Sequence, residues 1–333
     1  MAGGGTLVIQ TAFLGDVVLT TPLLSELARR DGPVDVVTTP AAAPLLEHHP
    51  AIRRVLRYDK RGADRGTRGV WRLARALRAH RYDRAVIPHR SSRSAALALL
   101  AGIPERIGFA GAPAALTYTA RIPRPARGHE ADRLLALAWP TVVPLPPPVS
   151  LGLTDADRAE ADAWLATHGV GSGFVALAPG SIWGTKRWPY YADLAARLDR
   201  PVVVVGGPED IPLAATVVGA APSRAHSSAG ALSLRGSAAL LARAGALVSN
   251  DSAPLHLATA VGTPVVALFG PTIPEFGFGP RGAKTATLGL DGLACRPCSR
   301  HGPMICPLGH HRCMRDLAVD TVAAALAGIS TGS

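Results

Sequence analysis

The chain has 333 residues, 48% hydrophobic and 18% charged, a balance that fills about two domains with a large core and excludes a disordered chain. Its apolar runs without charge or proline, Ser94 to Ile103 among them, fall far short of the ~20 residues that span a bilayer. The start, Met1-Ala2-Gly3-Gly4-Gly5, lacks the basic and apolar regions of a signal peptide, so a cytoplasmic protein is expected.

Thr6 to Gln10 reads as a short apolar strand. A loop ending Leu14-Gly15-Asp16 follows, then an apolar-periodic helix from Val17 to about Arg29. Gly15 suits a tight turn close to a ligand. Asp16, placed at the helix N-terminus, is either an N-cap or a carboxylate set to take a proton from a hydroxyl. Val34 to Thr38, Val55 to Tyr58 and Arg84 to Ile87 continue as strands with helices between, which predicts a parallel, doubly wound sheet.

The formal charge of +11 is concentrated here. Residues 1–150 carry 21 Arg/Lys against 11 Asp/Glu, and residues 151–333 carry 14 against 13. Arg68, Arg72, Arg75 and Arg78 recur at helical spacing and line one face. Such a face is either simply solvated or an electropositive surface for a polyanion or an anionic membrane. Nucleic acid is disfavoured, because the segment has few aromatics to stack on bases and no zinc-finger or RNA-binding signature.

Pro140 to Pro148 contains five prolines and reads as a linker between an N-terminal domain, 1–150, and a C-terminal domain, 151–333. The alternation then resumes. Helices are expected over Asp155–His168, Pro189–Leu198, Ser237–Ala244 and Pro254–Val261. Strands are expected over Phe174–Ala178, Pro201–Val205, Ala246–Ser249 and Val265–Phe269. Two Rossmann-like domains with a cleft between them follow as the simplest α/β architecture, with ligands beyond the carboxyl ends of the strands. No G-x-G-x-x-G follows a strand and opens a helix, and no P-loop is present, which argues against a nicotinamide or flavin enzyme.

The strand-to-helix loops hold the chemistry. Pro179 to Pro189 combines exposed amides with Lys186, a combination suited to phosphate. Gly206-Gly207-Pro208-Glu209-Asp210 offers a carboxylate to a ribose diol or to a helix dipole. Ser249 to His256 passes from strand through small polar residues into a helix with Pro254 in its first turn, a seat for pyrophosphate. Ser252 and His256, four apart, can face the same anion.

Taken together, these loops resemble glycosyltransferase family nine, the heptosyltransferases of lipopolysaccharide core assembly. The matching pieces are Gly15-Asp16, Lys186-Arg187-Trp188-Pro189, Gly206-Gly207-Pro208-Glu209, Asn250 to Ala258 and Phe269-Gly270-Pro271-Thr272. The resemblance runs from about residue 6 to 318, and the Cys-rich tail places it nearest the heptosyltransferase II branch. Ala253 stands where the family more often has glycine. The resemblance implies a GT-B fold, acceptor domain first, and inverting transfer of heptose from ADP-heptose without a catalytic cofactor. It implies Asp16 as general base, Ser181 and Lys186 as donor phosphate ligands, Glu209 on the ribose and Leu232 by the adenine. It also implies Asp251, Ser252, Ala253 and His256 around the pyrophosphate and sugar. Inversion needs a carboxylate to activate the nucleophile and fixed positive groups for the departing diphosphate, here Lys186 and the helix start at Ser252.

The basic N-terminal half then has a partner, an anionic glycolipid bearing lipid A phosphates and Kdo carboxylates at the inner face of the membrane. Gly15, Arg57, Arg61, Arg90 and Arg93 are the candidate acceptor contacts. Another nucleotide-activated sugar is the alternative donor. Cys295, Cys298, Cys306 and Cys313 lie close together in the sequence, a set suited to structural zinc or iron, with His310 or His311 able to replace one ligand. Reduced thiols packing a small knob are the other reading.

Overall fold

The computed structural model describes residues 4–138 and 145–330, and the chain divides into two units, Met1–Gly152 and Leu153–Ser333. The proline-rich stretch 140–148 lies partly outside the described residues, and 145–148 are irregular.

In the first unit β1 (Thr6–Ile9), β2 (Val34–Thr38), β3 (Ile52–Arg57), β4 (Arg84–Ile87), β5 (Glu105–Phe109) and β6 (Ala120–Ile122) form one parallel sheet, ordered β3-β2-β1-β4-β5-β6. Helices α1 (Leu14–Leu19), α2 (Thr21–Asp31), α3 (Ala43–Leu46), α4 (Gly66–Ala79), α5 (Ser92–Leu100) and α6 (Glu130–Leu135) connect and cover it. The period of two is visible in β1: Val8 packs with Val17, Leu23, Leu24 and Leu27 on one face, while Leu7 and Ile9 pack with Leu77 and Leu97 on the other. Both faces are dry, so the strand reads as a continuous apolar run.

The second unit repeats the plan. Strands β7 (Val175–Ala178), β8 (Val202–Val204), β9 (Ala225–Ser227), β10 (Ala246–Asn250), β11 (Val265–Leu268) and β12 (Thr285–Leu288) are ordered β12-β11-β10-β7-β8-β9, all parallel. Its helices are α7 (Asp155–Thr167), α8 (Tyr191–Arg197), α9 (Ile211–Ala220), α10 (Leu234–Arg243), α11 (Ala253–Val261), α12 (Arg312–Arg315) and α13 (Val319–Ser330). Numbered from its own first strand, this sheet has the same order as the first. Each unit is a Rossmann-like doubly wound domain of the GT-B fold. The order reverses between β1 and β4 in one unit and between β7 and β10 in the other, which is where such sheets open a crevice for ligands. Among the described residues, no helix is long and apolar enough to cross a membrane.

Two features differ from the sequence reading. The helix expected over Val17 to Arg29 is two helices that meet at Thr20. Pro22 cannot donate to Val18, and the hydroxyl of Thr21 takes that carbonyl instead at 2.8 Å. Asp16 lies in the first turn of α1, where its carboxylate caps the helix start by accepting the amide of Phe13, and Gly15 is helical rather than a tight turn. The short strands β5, β6, β9 and β12 escape a search for apolar runs, because three of them are sheet edges.

The second unit is pinned by a buried pair. Asp157, in the first turn of α7, accepts Arg235 of α10 through both oxygens, at 2.9 and 2.5 Å, and also the amide and hydroxyl of Thr154, at 2.6 and 2.7 Å. Burial pushes its pKa up, but the bonds from Arg235 and Thr154 outweigh that and hold it well below the usual carboxylate range. A carboxyl with a depressed folded pKa stabilises fully above its unfolded value, about pH 4, and loses that contribution as pH falls through its folded value. Stability measured by urea unfolding is therefore expected to fall between pH 5 and pH 2, and Asp157→Asn is expected to flatten part of that slope.

Candidate functional site

In the second unit the switch point brings two loops together. Asn250, the last residue of β10, accepts the amide of Trp188 on Oδ1 at 3.1 Å and donates from Nδ2 to the Pro179 carbonyl at 2.9 Å. Both ends of the loop after β7 are thereby tied to β10. Lys186 sits within that loop in a short 3-10 turn and is only 7% exposed. Its Nζ donates to Asp251 Oδ2 at 2.6 Å and to the Asp251 carbonyl at 3.1 Å. Thr272, beyond β11, donates to the same carboxylate oxygen at 2.7 Å.

A buried ammonium without an anion is costly, so Asp251 fixes where Lys186 stands. Helix α11 starts next to this pair. Ser252 precedes it with a hydroxyl that makes no capping bond, Ala253 is its first residue, and Pro254 occupies a position whose N–H has no helical partner anyway. The helix start concentrates free amides and the positive end of the dipole. His256, one turn on, is buried edge-to-face with Phe278.

Ser181, in the loop after β7, takes the Trp183 amide on its hydroxyl. Glu209 is exposed beyond β8, whereas Asp210 turns back to the Gly207 amide at 3.0 Å and fills the space beside Gly180 and Gly206. Of the two carboxylates, Glu209 is the one available to a ligand. Leu232 is half-buried just before α10.

The segment around the cysteines backs this site. Arg296 donates to the Gly270 and Phe269 carbonyls at 2.7 and 3.0 Å, and Cys298 N donates to Pro271 O at 2.9 Å. His311 Nε2 lies 2.8 Å from the Thr185 carbonyl. Cys313 is buried in the core, and burial, with the neighbouring thiols, pushes it up to about 11; Cys298 rises for the same reasons. Cys295 faces His310 at 4.0 Å, and Cys306 is half-buried. Among the described residues no group of three or more His, Cys, Asp or Glu side chains is placed to hold a metal ion.

In the first unit the loops after β1, β3 and β4 meet. Asp16 Oδ2 accepts the Phe13 amide at 3.2 Å. Lys60 reaches the Thr11 carbonyl at 2.5 Å, and the Thr11 hydroxyl lies 3.2 Å from His89 Nε2. Burial first, then the charge of Lys60, lowers His89 to about 4, so the ring is neutral at physiological pH. Beside these residues is an open cavity of about 560 Å³ lined by Lys60, Arg61, Arg65, Ser91 and Arg93.

Of the arginines expected to meet an acceptor, Arg61 and Arg93 line this cavity. Arg57 is paired with Glu47 at 2.8 Å, and Arg90 is exposed at the start of the loop after β4. On α4, Arg72 bonds Asp64 and Arg78 the Leu100 carbonyl. The sequence reading missed Lys60. Its signal was available, since the chain has only three lysines and Lys186 is another.

Glycosyltransferase family 9 (heptosyltransferase) matches residues 70–305. Lipopolysaccharide heptosyltransferase 2 of Salmonella typhimurium is 30% identical over 293 residues, covering 81% of this chain and 84% of that protein. Lipopolysaccharide heptosyltransferase 1 of Pseudomonas aeruginosa is 30% identical over 327 residues, 93% of this chain and 90% of that one. Among solved structures, the family 9 glycosyl transferase of Veillonella parvula shares the fold at a TM-score of 0.89 and 24% identity, covering 99% of this chain and 98% of that one. The ADP-heptose lps heptosyltransferase II of E. coli shares it at 0.81 and 24%, covering 98% of each chain.

Removing the anion from the buried pair should be costly. Asp251→Asn is expected to destabilise the protein by about 3–5 kcal/mol in urea unfolding, because Lys186 is left buried without its counter-ion. Thr272→Val, which removes one neutral donor, should cost about 1 kcal/mol.

Proposed function

The chain belongs to glycosyltransferase family 9, and from that premise we propose that it transfers heptose from ADP-L-glycero-D-manno-heptose to the lipopolysaccharide inner core with inversion. The observation that carries this reading is that the buried Lys186 ammonium, fixed by Asp251, stands beside the start of α11 at the switch point of the second sheet.

In this reading the diphosphate lies against Lys186, Ser181 and the amides from Ser252 onward. Its ribose meets Glu209, its adenine rests by Leu232, and Ala253 and His256 border the sugar. An acceptor hydroxyl attacks the anomeric carbon from the face opposite the diphosphate. A carbon–oxygen bond forms, the bond to phosphate breaks, and ADP leaves with the electron pair. Asp16 takes the hydroxyl proton. Lys186 and the helix start take up the charge that develops on the leaving group, the role a divalent ion would otherwise fill. Asp251 acts mainly by holding Lys186 in place.

The acceptor is an anionic glycolipid of the lipid A and Kdo type, and its anionic groups suit the cavity lined by Arg61 and Arg93. The excess of basic residues in the first half favours work at the cytoplasmic face of an anionic membrane.

Purified protein is expected to release ADP from ADP-heptose only when the inner-core acceptor is present. Asp16→Ala should lower turnover about a thousandfold while leaving ADP affinity within twofold. ADP at a hundred times its Kd should add about 2.7 kcal/mol of stability, with UDP and GDP well below that. Equal stabilisation by UDP would point to a different donor.

A further inference from the structure

Lys60 lies in the first unit, outside the loops assigned to the donor, and is half-buried. The turn that carries it is rigid: Asp59 accepts the amides of Gly62 and Ala63 at 2.8 and 3.0 Å, and Asp64 accepts the Asp59 amide at 2.9 Å. From this turn the ammonium reaches the Thr11 carbonyl at 2.5 Å and the Thr11 hydroxyl at 3.4 Å. Arg93 closes the arrangement by donating to the Lys60 carbonyl at 3.2 Å. Burial, with Arg61 and Arg93 nearby, pulls the pKa of Lys60 below the usual lysine value, so the ammonium is held at a cost that its oxygen partners offset.

Thr11 lies in the loop between β1 and α1, the helix whose first turn carries Asp16. Beyond it the Ala12 amide bonds the Gln10 side chain at 3.3 Å, and Gln10 donates to the Thr20 hydroxyl at 2.9 Å. That hydroxyl donates in turn to the Asp16 carbonyl at 2.7 Å. The loop is therefore gripped at one end by Lys60 and His89 and at the other by Gln10 and Thr20. An ammonium has three N–H donors, and two of them point at Thr11, which leaves one for the cavity that Lys60 lines with Arg61, Arg65, Ser91 and Arg93.

We infer that Lys60 is a positioning residue for the transfer reaction, joining an anion-binding cavity to the Thr11 carbonyl and so fixing the loop that presents Asp16. A phosphate or carboxylate of the acceptor in that cavity offsets the burial of the ammonium and strengthens its hold on the loop. Acceptor binding and placement of the base are thereby linked. Lys60 is suited to this because a cation with several N–H donors can serve a carbonyl and an anion at once. The inference rests on Asp16 acting as the base.

Hydrogen exchange and steady-state kinetics on the full chain test it together. Lys60→Met is expected to speed exchange in a peptide covering residues 10–19 about tenfold and to lower kcat about thirtyfold, with ADP affinity within twofold. Arg61→Gln should instead raise the acceptor KM about tenfold and leave that exchange unchanged. Lys60→Arg, which keeps the charge, should recover exchange protection and bring kcat to within about fivefold of the parent. It also decides the matter if Lys60→Met loosens the whole first unit, since failure of Lys60→Arg to recover either readout overturns the inference. So does a Lys60→Met variant that behaves like Arg61→Gln, with KM raised and exchange unmoved. If the parent protein transfers no heptose at all, the functional reading fails, and the exchange comparison alone decides whether Lys60 holds the loop.

Discussion

The switch point of the second unit depends on a buried charge pair. Lys186 and Asp251 are each about one-tenth exposed, and they belong to loops after adjacent strands, β7 and β10. The Lys186 ammonium has little water around it and stands against the Asp251 carboxylate, to which Thr272 also donates. Three loops, after β7, β10 and β11, are thus held by one set of hydrogen bonds. The same bonds set the Lys186 ammonium beside the start of α11.

The two units apply one topology to different ends. In both, the strand order reverses beside the first strand, and the loops there are relieved of packing against a crossover helix. In the second unit those loops carry small residues, free amides and one lysine, a combination that receives phosphate. In the first they carry a carboxylate, a neutral buried histidine and a cluster of cations around an open cavity. The division of charge along the chain matches this difference, since most of the excess Arg and Lys lies in the first half.

The cysteine-rich segment has a place in this scheme that does not depend on a metal. Arg296 caps the carbonyls after β11, and His311 meets the carbonyl of Thr185, the residue before Lys186. The segment buttresses the donor loops from behind. Its buried thiol at Cys313 packs as an apolar group beside Met314 and Leu317.

Continuous apolar runs such as Leu7 to Ile9 and Ala246 to Val248 marked the central strands, because a parallel strand covered on both faces has no polar positions. Edge strands such as Ala120–Ile122 and Thr285–Leu288 were not legible, since half their surface faces solvent or loops. The sequence around Asn250 to His256 and the lone lysine at Lys186 marked the donor loops, because strand-to-helix turns with small residues have few other uses. It did not reveal that Asp251 is the counter-ion of Lys186, 65 residues away, or that Lys60 crosses to Thr11, 49 residues away. Local order in a chain sets which backbone amides are free. Which side chains share a buried charge is decided only when separate strands are laid side by side.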